Sequence, residues 1–149
     1  MPDVFVIMGD RNTRKSSTIR ALTGIYQRKV YQVALRSNVR IDIFVHPSSL
    51  QEVKLSPPIF INQVNQNNYN YILVSLWISP YRNFPNGMTY IGSFIQASWN
   101  IRGIVILGSA TLPNSPSLSL SALPQFIPNS SMLASNEIAS QIRNWWQWL

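Results

Sequence analysis

A chain of 149 residues, 46% of them hydrophobic and only six of them glycine, can bury a core and is neither disordered nor fibrous. It has no cysteine, which excludes a disulfide framework and any thiolate metal site, and no apolar run approaches the roughly 20 residues that cross a bilayer. The formal charge of +7 is unevenly spread: of twelve Lys and Arg, eight (Arg11, Arg14, Lys15, Arg20, Arg28, Lys29, Arg36 and Arg40) fall in a stretch without Asp or Glu. Such a field attracts a nucleotide, a nucleic acid backbone or an acidic protein partner, and its alternative is a solvated face that keeps the chain soluble. The opening Met-Pro-Asp lacks the basic region of a secretory signal, so the expected location is cytoplasmic.

In chain order, Val4 to Met8 form an unbroken apolar run that reads as a strand buried on both faces, ended by Gly9. Five polar residues follow, Asp10 to Arg14, then Lys15, Ser16, Ser17 and Thr18. Ile19, Leu22 and Ile25 then recur at helical spacing. The order is strand, loop, helix. Here the chain resembles the P-loop NTPases, whose phosphate loop reads G-x-x-x-x-G-K-S/T between a first strand and a first helix. Gly9, Lys15 and Ser16 match the first Gly, the Lys and the hydroxyl, while Arg14 stands where the second Gly belongs.

The resemblance implies a cradle for ATP or GTP built from Gly9, Asn12, Thr13, Arg14, Lys15, Ser16 and Ser17. Backbone N–H groups and the Lys15 charge would meet the phosphates, and Ser16 would touch Mg2+. A side chain at position 14 either narrows the loop against a triphosphate or turns outward and adds a positive charge beside the anion.

Gly24 is a stop signal for the first helix. Val30 to Arg36 and Val39 to His46 read as strands joined by Ser37-Asn38 in an antiparallel hairpin, with Val39, Ile41, Ile43 and Val45 on one face. Ser56-Pro57-Pro58 opens a second helix carrying Phe60 and Val64, followed by a polar turn over Asn65 to Asn70. Tyr71 to Trp77 is a second buried strand, ending at Ser79-Pro80, and Arg82 lies in the loop beyond it. Ile91, Phe94, Ile95, Ser98 and Trp99 form a helical stripe, and Gly103 separates that helix from a third strand, Ile104 to Leu107.

From Ser109 to Ser131 the chain is rich in Ser, Pro, Asn and Leu, the composition of a long binding loop or lid. Ser135 to Leu149 reads as a final helix with Ile138, Ile142, Trp145 and Leu149 on one side, leaving Trp146 and Trp148 over. With Arg143 as its one cation, that helix suits packing on the domain, or pairing subunits in a homo-oligomer, better than lying on a membrane. The fold expected is one α/β domain over residues 1–149. It is a three-layer sandwich of mostly parallel strands with one antiparallel hairpin, P-loop NTPase-like, and it sets Gly9 to Lys15 near Ser79 and Ser109 at the C-terminal sheet edge.

Hydrolysis in the resembled family uses a second acid at the end of a buried strand. Of the five carboxylates (Asp3, Asp10, Asp42, Glu52 and Glu137) none ends the strands at Trp77 or Leu107. Asp42 is expected to face an Arg across the hairpin, and Asp10 would repel phosphate unless turned away. The hairpin also resembles that of the small GTP-binding branch. Its D-x-x-G would fall near Val45 to Ser48, with Gln51-Glu52 echoing the Q-E that follows, and its N/T-K-x-D near Ser109 to Leu112; neither motif is present. His46 reads as a structural histidine following a strand, and Arg82 as either a lid residue reaching phosphate or a solvated one. The expectation is a nucleotide-binding domain with weak or no hydrolysis. The alternative is a non-enzymatic module that binds nucleic acid or an acidic protein through its basic surface.

Overall fold

The computed structural model describes residues 1–111 and 123–149. Residues 112–122 of the long connection expected from Ser109 to Ser131, including Leu112 and the prolines at 113 and 116, lie outside the described residues.

The first strand, β1 (Asp3–Gly9), is central, and its alternation builds both faces of the fold. Val4, Val6 and Met8 join one hydrophobic core and Phe5 and Ile7 the other, and all five are buried. This is the double burial expected of an uninterrupted apolar strand in a parallel sheet. After the loop, α1 (Lys15–Thr23) runs back along the sheet and stops where Gly24 turns left-handed and donates its N–H to Arg20 O at 2.7 Å. The hairpin is β2 (Lys29–Ala34) with β3 (Arg40–Ser49), antiparallel in the register Lys29 to Val45, and left-handed Asn38 lies in its turn.

Then come α2 (Pro57–Asn67), β4 (Tyr71–Leu76), α3 (Gly87–Gln96), β5 (Asn100–Leu107), β6 (Gln125–Ile127), a single 3-10 turn at Ser130–Met132, and α4 (Ser135–Trp146). The sheet order is β2-β3-β4-β1-β5-β6, with every neighbouring pair parallel except β2 and β3. α2 and α3 contribute to one core and α1 and α4 to the other, giving three layers. Among the described residues, no helix is long and apolar enough to cross a membrane.

The expected α/β architecture with one antiparallel hairpin is present, with several differences in detail. Gly103 does not separate helix from strand: β5 begins three residues earlier, at Asn100, and Gly103 lies inside it because the Trp146 indole packs on its backbone, where a Cβ would overlap Nε1. Ser98 and Trp99 lie beyond the C-terminus of α3, at a left-handed turn on Ser98. α2 continues to Asn67, three residues into the expected turn, and stops at left-handed Asn68. β6 had no signal in the pattern, since three residues are too few to show a period.

The end of the chain also differs. α4 stops at Trp146 because Gln147 adopts the left-handed conformation, so Trp148 swings inward and Leu149 outward. Trp146 and Trp148, left over in the periodic reading, are the buried ones. Their rings lie 4.9 and 5.2 Å from Phe5 and 5.2 Å from each other. Leu149 N–H donates to Ala34 O at 2.9 Å, which ties the chain end to the hairpin.

Candidate functional site: the loop between β1 and α1

β1 leaves the sheet between β4 and β5, at the edge where parallel sheets present ligand-binding loops. Its last residue must be small, since a Cβ on Gly9 would overlap the Thr13 hydroxyl and come within 3.0 Å of Leu107 O. The loop that follows is wound tightly. Thr13 Oγ1 donates to Asp10 O at 2.8 Å, and Asn12 and Arg14 take left-handed backbone with φ of 62° and 70°. Arg14 therefore occupies, as a non-glycine, a conformation that glycine adopts without steric penalty. Its side chain is exposed and turns outward, Nη2 reaching Ser131 O in the 3-10 turn at 3.3 Å. Of the two arrangements open for Arg14, the outward one is observed.

Lys15 is 8% exposed and lies back across the loop, its Nζ donating to Asp10 O at 3.1 Å and standing 5.0 Å from the centre of the Trp77 ring. Burial pushes its pKa below the usual lysine range, and the nearby carboxylates of Glu52 and Asp10 partly counter that. Asp10 is turned away from the loop interior. Ser79 donates to it twice, backbone N–H to Oδ1 at 3.0 Å and hydroxyl to Oδ2 at 2.9 Å. Among the described residues, nothing accepts a hydrogen bond from the backbone N–H of Arg11 to Ser17. These donors and the remaining Nζ protons lie together at a helix N-terminus, an electropositive arrangement suited to an anion. Thr13 is buried as part of the turn, Ser17 is half-buried, and Asn12 and Ser16 are exposed.

A second segment completes the surroundings. Gln51, buried in the turn after β3, clamps the end of β4: its Oε1 accepts from Trp77 N–H at 3.2 Å, and its Nε2 donates to Trp77 O at 3.2 Å and Pro85 O at 3.3 Å. Glu52, next to it, accepts from the Trp77 indole N–H and so stands beside Lys15. Glu52 was missed as a site residue because it ends neither buried strand; the Gln51-Glu52 pair was the available signal. β3 is not adjacent to β1, since β4 intervenes, so this acid arrives by way of the turn and Trp77.

The remaining candidates lie elsewhere. His46 is within β3 rather than after it, buried, with Nδ1 2.8 Å from Ser48 O. Asp42 faces Gln32 across the hairpin, not an Arg, because the register sets Arg40 opposite Ala34; the salt bridge among the described residues is Arg102 to Asp3 at 2.9 Å. Arg82 is exposed and left-handed, with its guanidinium over the Tyr81 ring. Among the described residues no group of three or more His, Asp or Glu gathers as a metal site. A magnesium ion there would need phosphate oxygens and water beside the Ser16 hydroxyl, which suits the usual habit of that ion.

No protein-family model, curated protein or solved structure matches this chain.

Proposed function

We propose that this chain is a P-loop-like domain that binds the phosphates of a nucleoside triphosphate, ATP or GTP with Mg2+, and hydrolyses it weakly or not at all. The observation that carries this reading is the buried Lys15 ammonium lying across a turn whose amides, Arg11 to Ser17, have no acceptor among the described residues. Lys15 neutralises the outer phosphates, the amides hold their oxygens, and Ser16 supplies one magnesium ligand. Hydrolysis is slow because both nearby carboxylates are engaged, Asp10 by Ser79 and Glu52 by Trp77, so neither is free to orient water. The test is thermal stability with ATP or GTP, with and without magnesium. At 100 times the dissociation constant a specific ligand adds about 2.7 kcal/mol, and Lys15→Ala should abolish the gain. No stabilisation by either nucleotide sinks the reading.

A second reading rests on where the exposed cations lie. Arg11 and Arg14 in the loop, Lys54 after β3 and Arg82 after β4 all belong to connections at the C-terminal sheet edge. A phosphodiester backbone or an acidic protein surface laid along that edge would meet them together. Nucleic acid binding that weakens steeply with salt and ignores Lys15→Ala would favour this module over the nucleotide site.

A further inference from the structure

The face of β3 turned away from α1 carries a feature the nucleotide reading does not use. Phe44 and His46 share that face by strand alternation, and Arg28, just before β2, lies against both. Two clefts open there, of about 410 and 490 Å3, and Arg28 lines both. The first is walled by Phe60 and Val64 of α2 and by Phe44 and Tyr69, whose rings stack at 4.3 Å and 4°. The second is lined by His46, Pro47, Val53 and Leu55.

His46 is 1% exposed, and its Nε2 has no hydrogen-bond partner among the described residues. Its Nδ1 faces the carbonyl of Ser48, which can only accept, so Nδ1 carries the proton and the neutral ring presents Nε2 as an acceptor. A buried acceptor without a donor is costly and marks a site where a ligand donor would be favourable.

We propose that this double cleft binds a small organic acid with an apolar, preferably aromatic, body and a hydrogen-bond donor adjacent to its carboxylate. The body lies against Phe44, Phe60 and Tyr69, and the carboxylate pairs with the Arg28 guanidinium, whose planar fork matches it. The adjacent donor reaches Nε2 of His46 as Arg28, the exposed side chain common to both clefts, moves onto the acid. The chemistry is shared by a free α-hydroxy acid and by a peptide C-terminus, where the donor is the last amide N–H. An α-ammonium donor is disfavoured by the Arg28 charge beside it.

His46 is the chain's one histidine, so the 15N signals of selectively labelled histidine report this site alone. The full chain is titrated to about 10 mM, tenfold above a millimolar dissociation constant, with 3-phenyllactate, N-acetylphenylalanine, 3-phenylpropionate (no donor) and lactate (no ring). The first two should shift Nε2 and the last two should not. Tighter binding of N-acetylphenylalanine assigns a peptide end, and tighter binding of phenyllactate a free hydroxy acid. Arg28→Ala, an exposed position that leaves the core intact, should weaken binding at least about tenfold. The proposal is overturned if neither donor-bearing acid moves Nε2, if phenylpropionate moves it equally, or if Arg28→Ala leaves the affinity unchanged.

Discussion

The Asp10 carboxylate is held by Ser79 through two hydrogen bonds, 3.0 Å from the backbone N–H and 2.9 Å from the hydroxyl, and this pins the loop after β1 to the end of β4. The negative group in the loop after β1 is thereby turned away and made structural. Asp10→Ala removes both acceptors and is expected to destabilise the protein by about 1 kcal/mol, the lower range for partly exposed bonds to a charged group. In a chain of this size that corresponds to about 3 °C in Tm. Ser79→Ala removes one bond and should give a smaller loss. Equal stability of Asp10→Ala and wild type in a denaturant titration would show that the pair does not anchor the loop.

Lys15 predicts a pH dependence with a definite sign. Burial lowers its pKa in the folded chain below the ordinary 10.5, so between the two values the unfolded chain binds more protons. Stability therefore rises with pH as 10.5 is approached from below, and Lys15→Met, which keeps the length and removes the charge, should lack that rise. Tyr90 acts oppositely: burial pushes its hydroxyl up to about 12, so stability falls as pH climbs through the unfolded tyrosine value near 10. Both variants contain Tyr90, so the difference between their curves isolates Lys15. Parallel curves would contradict a desolvated ammonium.

Arg14 stands at φ 70°, where a Cβ is penalised and glycine is not. Arg14→Gly is expected to be about 1 kcal/mol more stable than Arg14→Ala, since both lose the hydrogen bond to Ser131 O and only Ala retains the steric term. Chemical denaturation of the two variants measures this, and Ala equal to or above Gly would mean that the loop relaxes out of the left-handed conformation.

Apart from β6, the order of elements was readable because each rests on a period or a stop signal: the apolar run of β1, the alternation of Ile41, Ile43 and Val45, the Ser56-Pro57-Pro58 start of α2. What was not readable depends on contacts distant in sequence. Glu52 gains its place only because Gln51 clamps Trp77, 26 residues further on, which no local pattern records. Trp148 was misread because a helical stripe was continued through Gln147, whose left-handed turn sends Trp148 inward and Leu149 outward, while Trp146 lies on the buried face of α4 four residues after Ile142. Thr13, Arg14 and Lys15 were named through the resemblance of the loop to a phosphate-loop motif, but the outward turn of Arg14 and the docking of Asp10 on Ser79 were not legible, because both depend on partners from other segments.

His46 should make the protein sensitive to mild acid. Burial, and secondarily the Arg28 charge, lower its pKa below 6.5, while the hydrogen bond to Ser48 O works the other way. With the folded pKa below the unfolded one, the unfolded chain binds more protons as pH falls past 6.5, so stability declines from there toward the folded pKa. His46→Gln, which can still accept a ligand donor but does not titrate, should flatten that decline in denaturant midpoints measured between pH 7 and 5. An unchanged slope would place the acid sensitivity in the carboxylates.

Gly103 and Trp146 make the sharpest packing test. The indole lies so close to the β5 backbone that a Cβ at position 103 would overlap it, and it also meets Phe5, the register partner of Gly103 on β1, at 4.9 Å. Gly103→Ala is therefore expected to cost about 1–3 kcal/mol, the usual range for overpacking, despite the better strand propensity of alanine. Trp146→Phe alone removes ring volume and should also destabilise. Combined with Gly103→Ala it makes room for the added methyl, so the double variant should be more stable than the sum of the two losses predicts. A thermal or denaturant double-mutant cycle reads that coupling directly. Strict additivity would mean that the strain at Gly103 is relieved by β5 rather than by the indole, and that α4 is not locked to the sheet at this point.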